Sequence, residues 1–208
     1  MNKKQKQILE KLAQMYGGTK SALEYNNPFE LLIAVILSAQ CTDKRVNIIT
    51  KRLFPVYGSP EKIAALEQEK LEELIHDCGL FRAKAKNIKA TCQMIIDDFG
   101  GKVPDNMDEL IKLPGVGRKT ANVVMSQAFG IPAIAVDTHV FRVSRRLALS
   151  SGDDVNKVEM DLMKLIPKKD WSDAHHWLIW HGRLVCKARK PLCGKCGINE
   201  LCTSKDKV

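Results

Sequence analysis

Helix start and stop signals recur along this chain, while the alternating apolar–polar pattern of strands is nearly absent, so the chain is confined to an all-α fold. The segment "NNPFELLIAVIL" offers Asn27 as N-cap, Pro28 at the first helical position and Glu30 two residues on. "GSPEKIAAL" repeats that logic with Ser59 and Pro60. "LEELIHDCG" has helical spacing and is expected to stop at Gly79, and the stripe Ala85, Ile88, Cys92, Ile95 is expected to run to Gly100 and Gly101. "PDNMDELIKL", "GRKTANVVMSQAFG", "DTHVFRVSRRLAL", "DDVNKVEMDLMKLI" and "SDAHHWLIWHGRLV" complete about ten short helices. The longest apolar run, Leu31 to Leu37, is too short to cross a bilayer, and the basic N-terminus is not followed by a signal-like apolar block. A cytoplasmic protein without a membrane anchor is expected. Gly130 and Pro132 interrupt the helical pattern and mark a boundary between two closely packed domains.

Thirty-three basic against 24 acidic residues leave a net charge of +9. That excess suits a polyanionic partner, because each lysine or arginine that meets a phosphate releases counterions. Charge alone fits an unspecialised basic protein equally well, so the partner has to be read from local motifs.

The sharpest is "LPGVGRKTANVV". Pro114 cannot continue a preceding helix, and Gly115 and Gly117 bracket Val116 in a tight turn before a second helix that starts with Arg118 and Lys119. Such a turn aims the backbone N–H groups of a helix N-terminus outward, which is an anion site. A plain helix–helix corner needs one glycine, not Gly-Val-Gly with Arg-Lys behind it. The pattern is similar to the helix–hairpin–helix, a grip on DNA phosphates that ignores sequence. Lys119 raises a chemical question, because an amine must be neutral to act as a nucleophile. A free lysine side chain, with pKa near 10.4, is neutral in only about one molecule in a thousand near neutral pH. Burial or the neighbouring Arg118 would have to change that. Downstream, Asp137 in "AVDTHVFRV" reads first as a helix N-cap; a catalytic carboxylate there would stabilise positive charge and move protons.

Seven cysteines are distributed unevenly. Cys41, Cys78 and Cys92 are scattered through helical pattern and read as small buried hydrophobes. Cys186, Cys193, Cys196 and Cys202 instead form a C-x6-C-x2-C-x5-C array, which implies one sulfur-ligated metal site. Zinc and an iron–sulfur cluster both accept four thiolates, so ligand rules leave the metal open. Lys187, Arg189 and Lys190 lie between the first two cysteines and suit DNA backbone contact. His175 and His176 read as ordinary helix residues rather than ligands.

The hairpin, the "AVDTHVFRV" segment and the cysteine array together resemble the endonuclease III family of bifunctional DNA glycosylases, and the similarity extends over nearly the whole chain. The resemblance implies two helical domains with a DNA-binding cleft and lesion pocket between them. One is a six-helix barrel over 21–130 with the hairpin at about 108–128. The other joins 1–20 to 131–208 and carries a [4Fe-4S] cluster held by Cys186, Cys193, Cys196 and Cys202. It also implies Lys119 as the nucleophile at C1′ of the damaged nucleotide, and Asp137 as the essential carboxylate. β-Elimination would then cut 3′ to the abasic site. Substrates would be oxidised pyrimidines such as thymine glycol, or abasic sites, in double-stranded DNA met by a monomeric enzyme. "LSAQCTD" makes Gln40, and "CGLFRAKA" makes Leu80, the residues that fill the gap left by an everted nucleotide. The adenine-glycosylase branch shares hairpin and cluster, but it usually lacks the lysine and carries an early catalytic glutamate that "ILSAQCTDKRV" does not have. A third reading, a non-catalytic DNA-binding module with structural zinc, would use the hairpin and cysteines without the lysine's chemistry.

Overall fold

The computed structural model describes residues 1–207. Its order is α1 (Lys3–Tyr16), α2 (Pro28–Ser38), α3 (Asp43–Tyr57), α4 (Pro60–Ala64), α5 (Gln68–Ile75), α6 (Phe81–Phe99), α7 (Met107–Leu110), α8 (Arg118–Ala128), α9 (Thr138–Arg146), α10 (Val155–Leu165) and α11 (Trp171–Leu184). Three single-turn 3-10 segments follow α10 or lie among the terminal cysteines. No strand occurs among the described residues, and no helix there is long and apolar enough to cross a membrane.

Two compact units divide the chain: Ser21–Ile131, and Met1–Lys20 with the segment from Pro132 onward. The first contains α2 to α8. Its centre is α2, where every residue from Phe29 to Leu37 is buried. Asn27 caps it, accepting the Glu30 N–H at 2.9 Å, and the buried Glu30 carboxylate accepts the Asn26 backbone N–H at 2.7 Å. Val46, Ile49 and Leu53 of α3, Leu71 and Ile75 of α5, Ala85, Ile88, Cys92 and Ile95 of α6, and Ala121 and Val124 of α8 complete that core. The second unit packs α1 with α9, α10 and α11 around Ile8, Leu12, Val140, Val143, Val158, Leu162, Ala174 and Leu178. His175 belongs to this unit as a buried residue whose Nδ1 bonds the Ala135 carbonyl at 2.7 Å.

Local signals mislead at two ends. Helix α5 stops at Ile75 rather than at Gly79, and the chain turns through Cys78 and Gly79 before restarting at Leu80. Helix α7 ends at Leu110, not beside Pro114, and 3-10-type bonds from Lys112 to Glu109 and from Leu113 to Leu110 replace its last turn. Proline disfavours α geometry in the residue before it, in keeping with the tighter turn ahead of Pro114.

Candidate functional site

The hairpin between α7 and α8 is built as a reverse turn. The Val116 N–H donates to the Leu113 carbonyl at 3.0 Å, Pro114 and Gly115 occupy the centre, and Gly115 has φ +78°. Proline then glycine at those two positions, with positive φ at the second, is the requirement of a type II turn. Helix α6 holds the turn in place. Thr91 Oγ1 donates to the Pro114 carbonyl at 2.7 Å, and Asn87 presses so close that a Cβ on Gly115 would sit 3.0 Å from its own. Val116 is buried as the turn's anchor, whereas Gly115, Gly117, Arg118 and Lys119 are exposed.

Gly117 is the N-cap of α8 and has no side chain to cap with, so the first-turn N–H groups receive no side-chain cap. A Cβ added to Gly117 would meet nothing within 4 Å, so the approach to that helix end is open. No acidic residue lies in the first turn of α8, where Arg118 and Lys119 add two cations to the positive end of the helix dipole. Lys119, the second residue of the helix, is exposed.

Asp137, in the other unit, caps α9, with Oδ1 accepting the Val140 N–H at 2.7 Å. The N-cap expected at this position is therefore present. Its other oxygen has no hydrogen-bond partner among the described residues, so capping occupies only half of the half-buried carboxylate.

Gln40 and Leu80 stand on two loops of the first unit. Gln40 follows the end of α2 and is exposed; Leu80 precedes α6 and is 60% exposed, unusually open for a leucine. Both have positive φ, 54° and 59°.

The four terminal cysteines sit on successive turns. The Cys186 N–H donates to the His181 carbonyl at the end of α11 (2.8 Å), the Cys196 N–H to the Cys193 carbonyl (3.1 Å), and the Cys202 N–H to the Asn199 carbonyl (3.1 Å). All four are half-buried and none forms a disulfide. Burial first, and then the charges of Cys186, Cys202 and Cys193, push the Cys196 thiol up, so the four lie within electrostatic reach of one another. Yet no three His, Cys, Asp or Glu groups among the described residues gather tightly enough to hold a single metal ion. Four free, half-buried thiols within one short segment supply the soft ligand set that an iron–sulfur cluster takes.

The surroundings of these cysteines were not foreseeable from spacing. His181 Nε2 is 3.8 Å from Cys196 Sγ, its Nδ1 is 3.1 Å from the Tyr16 hydroxyl, and burial pushes its pKa down to about 4, so the ring is neutral at physiological pH. Arg146 donates to Cys186 Sγ (3.6 Å) and to the carbonyls of Lys187 (2.7 Å) and Ala188 (3.1 Å). Leu192 closes the loop by donating to the Val185 carbonyl at 3.0 Å. The exposed Lys187, Arg189 and Lys190 therefore ride on a pinned backbone, a role for Arg146 that "FRVSRRLAL" does not advertise.

Residues 33–168 match the HhH-GPD superfamily of base excision DNA repair proteins, and residues 186–202 match the iron–sulfur binding domain of endonuclease III. The chain is 54% identical to endonuclease III of Bacillus subtilis over 200 residues, covering 96% of this chain and 91% of that protein. It is 52% identical to endonuclease III of Synechocystis over 206 residues, covering 98% and 94%. Among solved structures, a trapped endonuclease III–DNA covalent intermediate superimposes with a TM-score of 0.92 at 54% identity, covering 98% of this chain and 97% of that one.

Proposed function

Because the chain belongs to the endonuclease III family of base-excision DNA glycosylases and abasic-site lyases, we propose that Lys119 carries the chemistry on oxidised pyrimidines and abasic sites in duplex DNA. Lys119 is the second residue of α8, behind an open, uncapped helix end that a DNA phosphate can approach. A phosphate bound by the N–H groups beyond Gly115, Val116 and Gly117, with Arg118 beside it, brings the sugar of a neighbouring nucleotide within reach of the amine. The neutral Lys119 Nζ bonds to C1′ as the N-glycosidic bond breaks and the base departs with that electron pair and a proton. Loss of a proton from nitrogen and opening of the sugar give the Schiff base. Removal of a C2′ proton then expels the 3′ phosphate. The unpartnered oxygen of Asp137 is the group that stabilises the cationic sugar and exchanges protons. A relative captured in covalent union with DNA supports a covalent route.

Gln40 and Leu80 are read as the side chains that occupy the gap when the nucleotide leaves the stack, which their exposure supports. Cys186, Cys193, Cys196 and Cys202 would hold the family's [4Fe-4S] cluster, which would brace the loop of Lys187, Arg189 and Lys190. Those three residues meet DNA phosphates. The enzyme is read as a cytoplasmic monomer; no helix among the described residues is long and apolar enough to cross a membrane.

Borohydride reduction on abasic and thymine-glycol duplexes tests the assignment. Wild-type protein is expected to become covalently attached to DNA and Lys119→Gln is not, although it still binds duplex. Strand scission that persists in Lys119→Gln rules the lysine out. Colourless protein with stoichiometric zinc, in place of a yellow-brown iron- and sulfide-containing one, rules the cluster ligation out.

A further inference from the structure

Gln40 and Leu80 both occupy the left-handed region, which residues other than glycine rarely adopt and which persists only where surroundings enforce it. The enforcing contacts converge on Lys84. This lysine lies one turn into α6, where its backbone N–H donates to the Leu80 carbonyl at 3.0 Å. Its side chain is almost completely buried, at 5% exposure. Nζ donates to the carbonyls of Leu37 (2.9 Å) and Ala39 (2.6 Å) and to Cys78 Sγ (2.9 Å). An ammonium has three N–H bonds and all three are used, so none remains for DNA.

Each partner bears on the two strained residues. The Ala39 carbonyl lies in the same rigid peptide plane as the Gln40 nitrogen, so holding that oxygen sets the plane from which Gln40 turns. The Gln40 carbonyl in turn lies against Gly79, where an added Cβ would be only 3.3 Å away. The Cys78 thiol donates to the Leu37 carbonyl at 3.1 Å, tying the turn before Leu80 to the end of α2. The partners of the buried ammonium are two carbonyls and a thiol, with no carboxylate. A hydrophobic side chain of similar shape would fill that space without desolvating a charge, so what lysine adds is orientation.

We propose that Lys84 is a positioning residue for nucleotide eviction, locking the Gln40 and Leu80 loops into one rigid pair before DNA is met. Pre-ordering removes the cost of organising two loops at the moment the duplex is opened. The inference rests on the reading of Gln40 and Leu80 as gap-filling residues given above.

Lys84→Met keeps length and removes the donors. Single-turnover excision of thymine glycol from a duplex is expected to slow by about 10- to 100-fold, the scale of a small misplacement of a working group. Cleavage of an abasic site in a single-stranded oligonucleotide, which has no stack to refill, is expected to stay within about twofold on the same reasoning. Unchanged duplex excision overturns the proposal, and so does equal slowing on both substrates, which would mark a merely structural lysine. If Lys84→Met does not fold, Gly79→Ala carries the test: its methyl pushes the Gln40 loop away without touching Lys84, and it should slow duplex excision selectively. Normal duplex excision by Gly79→Ala refutes the coupling. Gln40→Ala and Leu80→Ala, made in the wild-type background, separate the two layers. If both excise normally from duplex, the gap-filling reading fails and takes this inference with it. If they slow excision while Lys84→Met does not, the inference alone fails. Adding Gln40→Ala to Lys84→Met should cost little more, and a full independent loss would contradict the coupling.

Discussion

Gly115 and Gly117 stand two residues apart in the hairpin, but the structure assigns their substitutions opposite consequences. Gly115 has φ +78°, and a Cβ there would lie 3.0 Å from Asn87 Cβ. An L side chain in the left-handed region costs about 1–2 kcal/mol. The contact is also well inside the roughly 3.5–4.0 Å optimum for two carbons, so Asn87 must yield. Gly115→Ala is therefore expected to destabilise the protein by about 2–3 kcal/mol, which for a chain of this size lowers Tm by roughly 4–12 °C. Gly117 has φ −92° and ψ 175°, extended backbone that any residue adopts, with nothing within 4 Å of the added carbon. Its alanine variant loses only the difference between glycine and alanine as an N-cap, about 1 kcal/mol or less. Its methyl group, however, stands in the open approach to the α8 N-terminus. Affinity for undamaged duplex should then fall about tenfold, or 1.4 kcal/mol, while Tm falls by no more than about 2–4 °C. The assays are thermal unfolding by circular dichroism and fluorescence anisotropy with a labelled duplex at fixed salt. Gly115→Ala as stable as the parent would refute the strain argument. Gly117→Ala binding as tightly as the parent would show that the helix end does not hold a phosphate.

Other consequences concern groups whose structural and chemical roles can be separated. Asp137→Asn retains a capping oxygen and should keep stability within about 0.5 kcal/mol while losing most excision; Asp137→Ala should lose excision and about 1 kcal/mol as well, measured by urea unfolding beside single-turnover kinetics. Lys187→Ala should weaken binding to every duplex alike and flatten the dependence of log affinity on log salt by about one unit; altered lesion preference at an unchanged slope would count against a phosphate contact. Burial pushes the Cys92 thiol up to about 12, with the Glu61 charge adding to the shift. The folded state then holds a proton that the unfolded chain releases above about pH 9, so stability is fully present below that pH. It should decline through the window from about 9 to 12 by up to about 1.4 kcal/mol per unit. Cys92→Val should show a shallower decline in urea midpoints over that window, and parallel curves would exclude the thiol.

Much of this molecule is visible in its residue order because the features concerned are local. Asn27 with Pro28 and Glu30, and Ser59 with Pro60, start helices as their chemistry requires, since cap and capped N–H lie within three residues. The segment "LPGVGRK" specifies its own turn through a proline and a glycine at fixed positions. The cysteine spacing points to a sulfur-ligated site because all four candidate ligands lie within the one short segment that matches the iron–sulfur binding domain.

What residue order does not carry is the partner of a side chain that reaches across the fold. Lys84, Lys86 and Lys89 look alike in "FRAKAKNIKAT", yet only Lys84 is buried, because the end of α2, about 45 residues earlier, supplies carbonyls for its ammonium. Thr91 reads as a helix filler until the Pro114 carbonyl, 23 residues away, arrives at its hydroxyl. His181 and Tyr16, 165 residues apart, meet beside the terminal cysteines only because α1 packs on α11. Lys119, whose chemistry the sequence singles out, turns out to be solvent-exposed. Caps, turns and ligand spacings are contracts between neighbours and are settled by sequence. Burial and long-range hydrogen bonds depend on which distant atoms share the same low-dielectric space, and that is decided only when the helices pack.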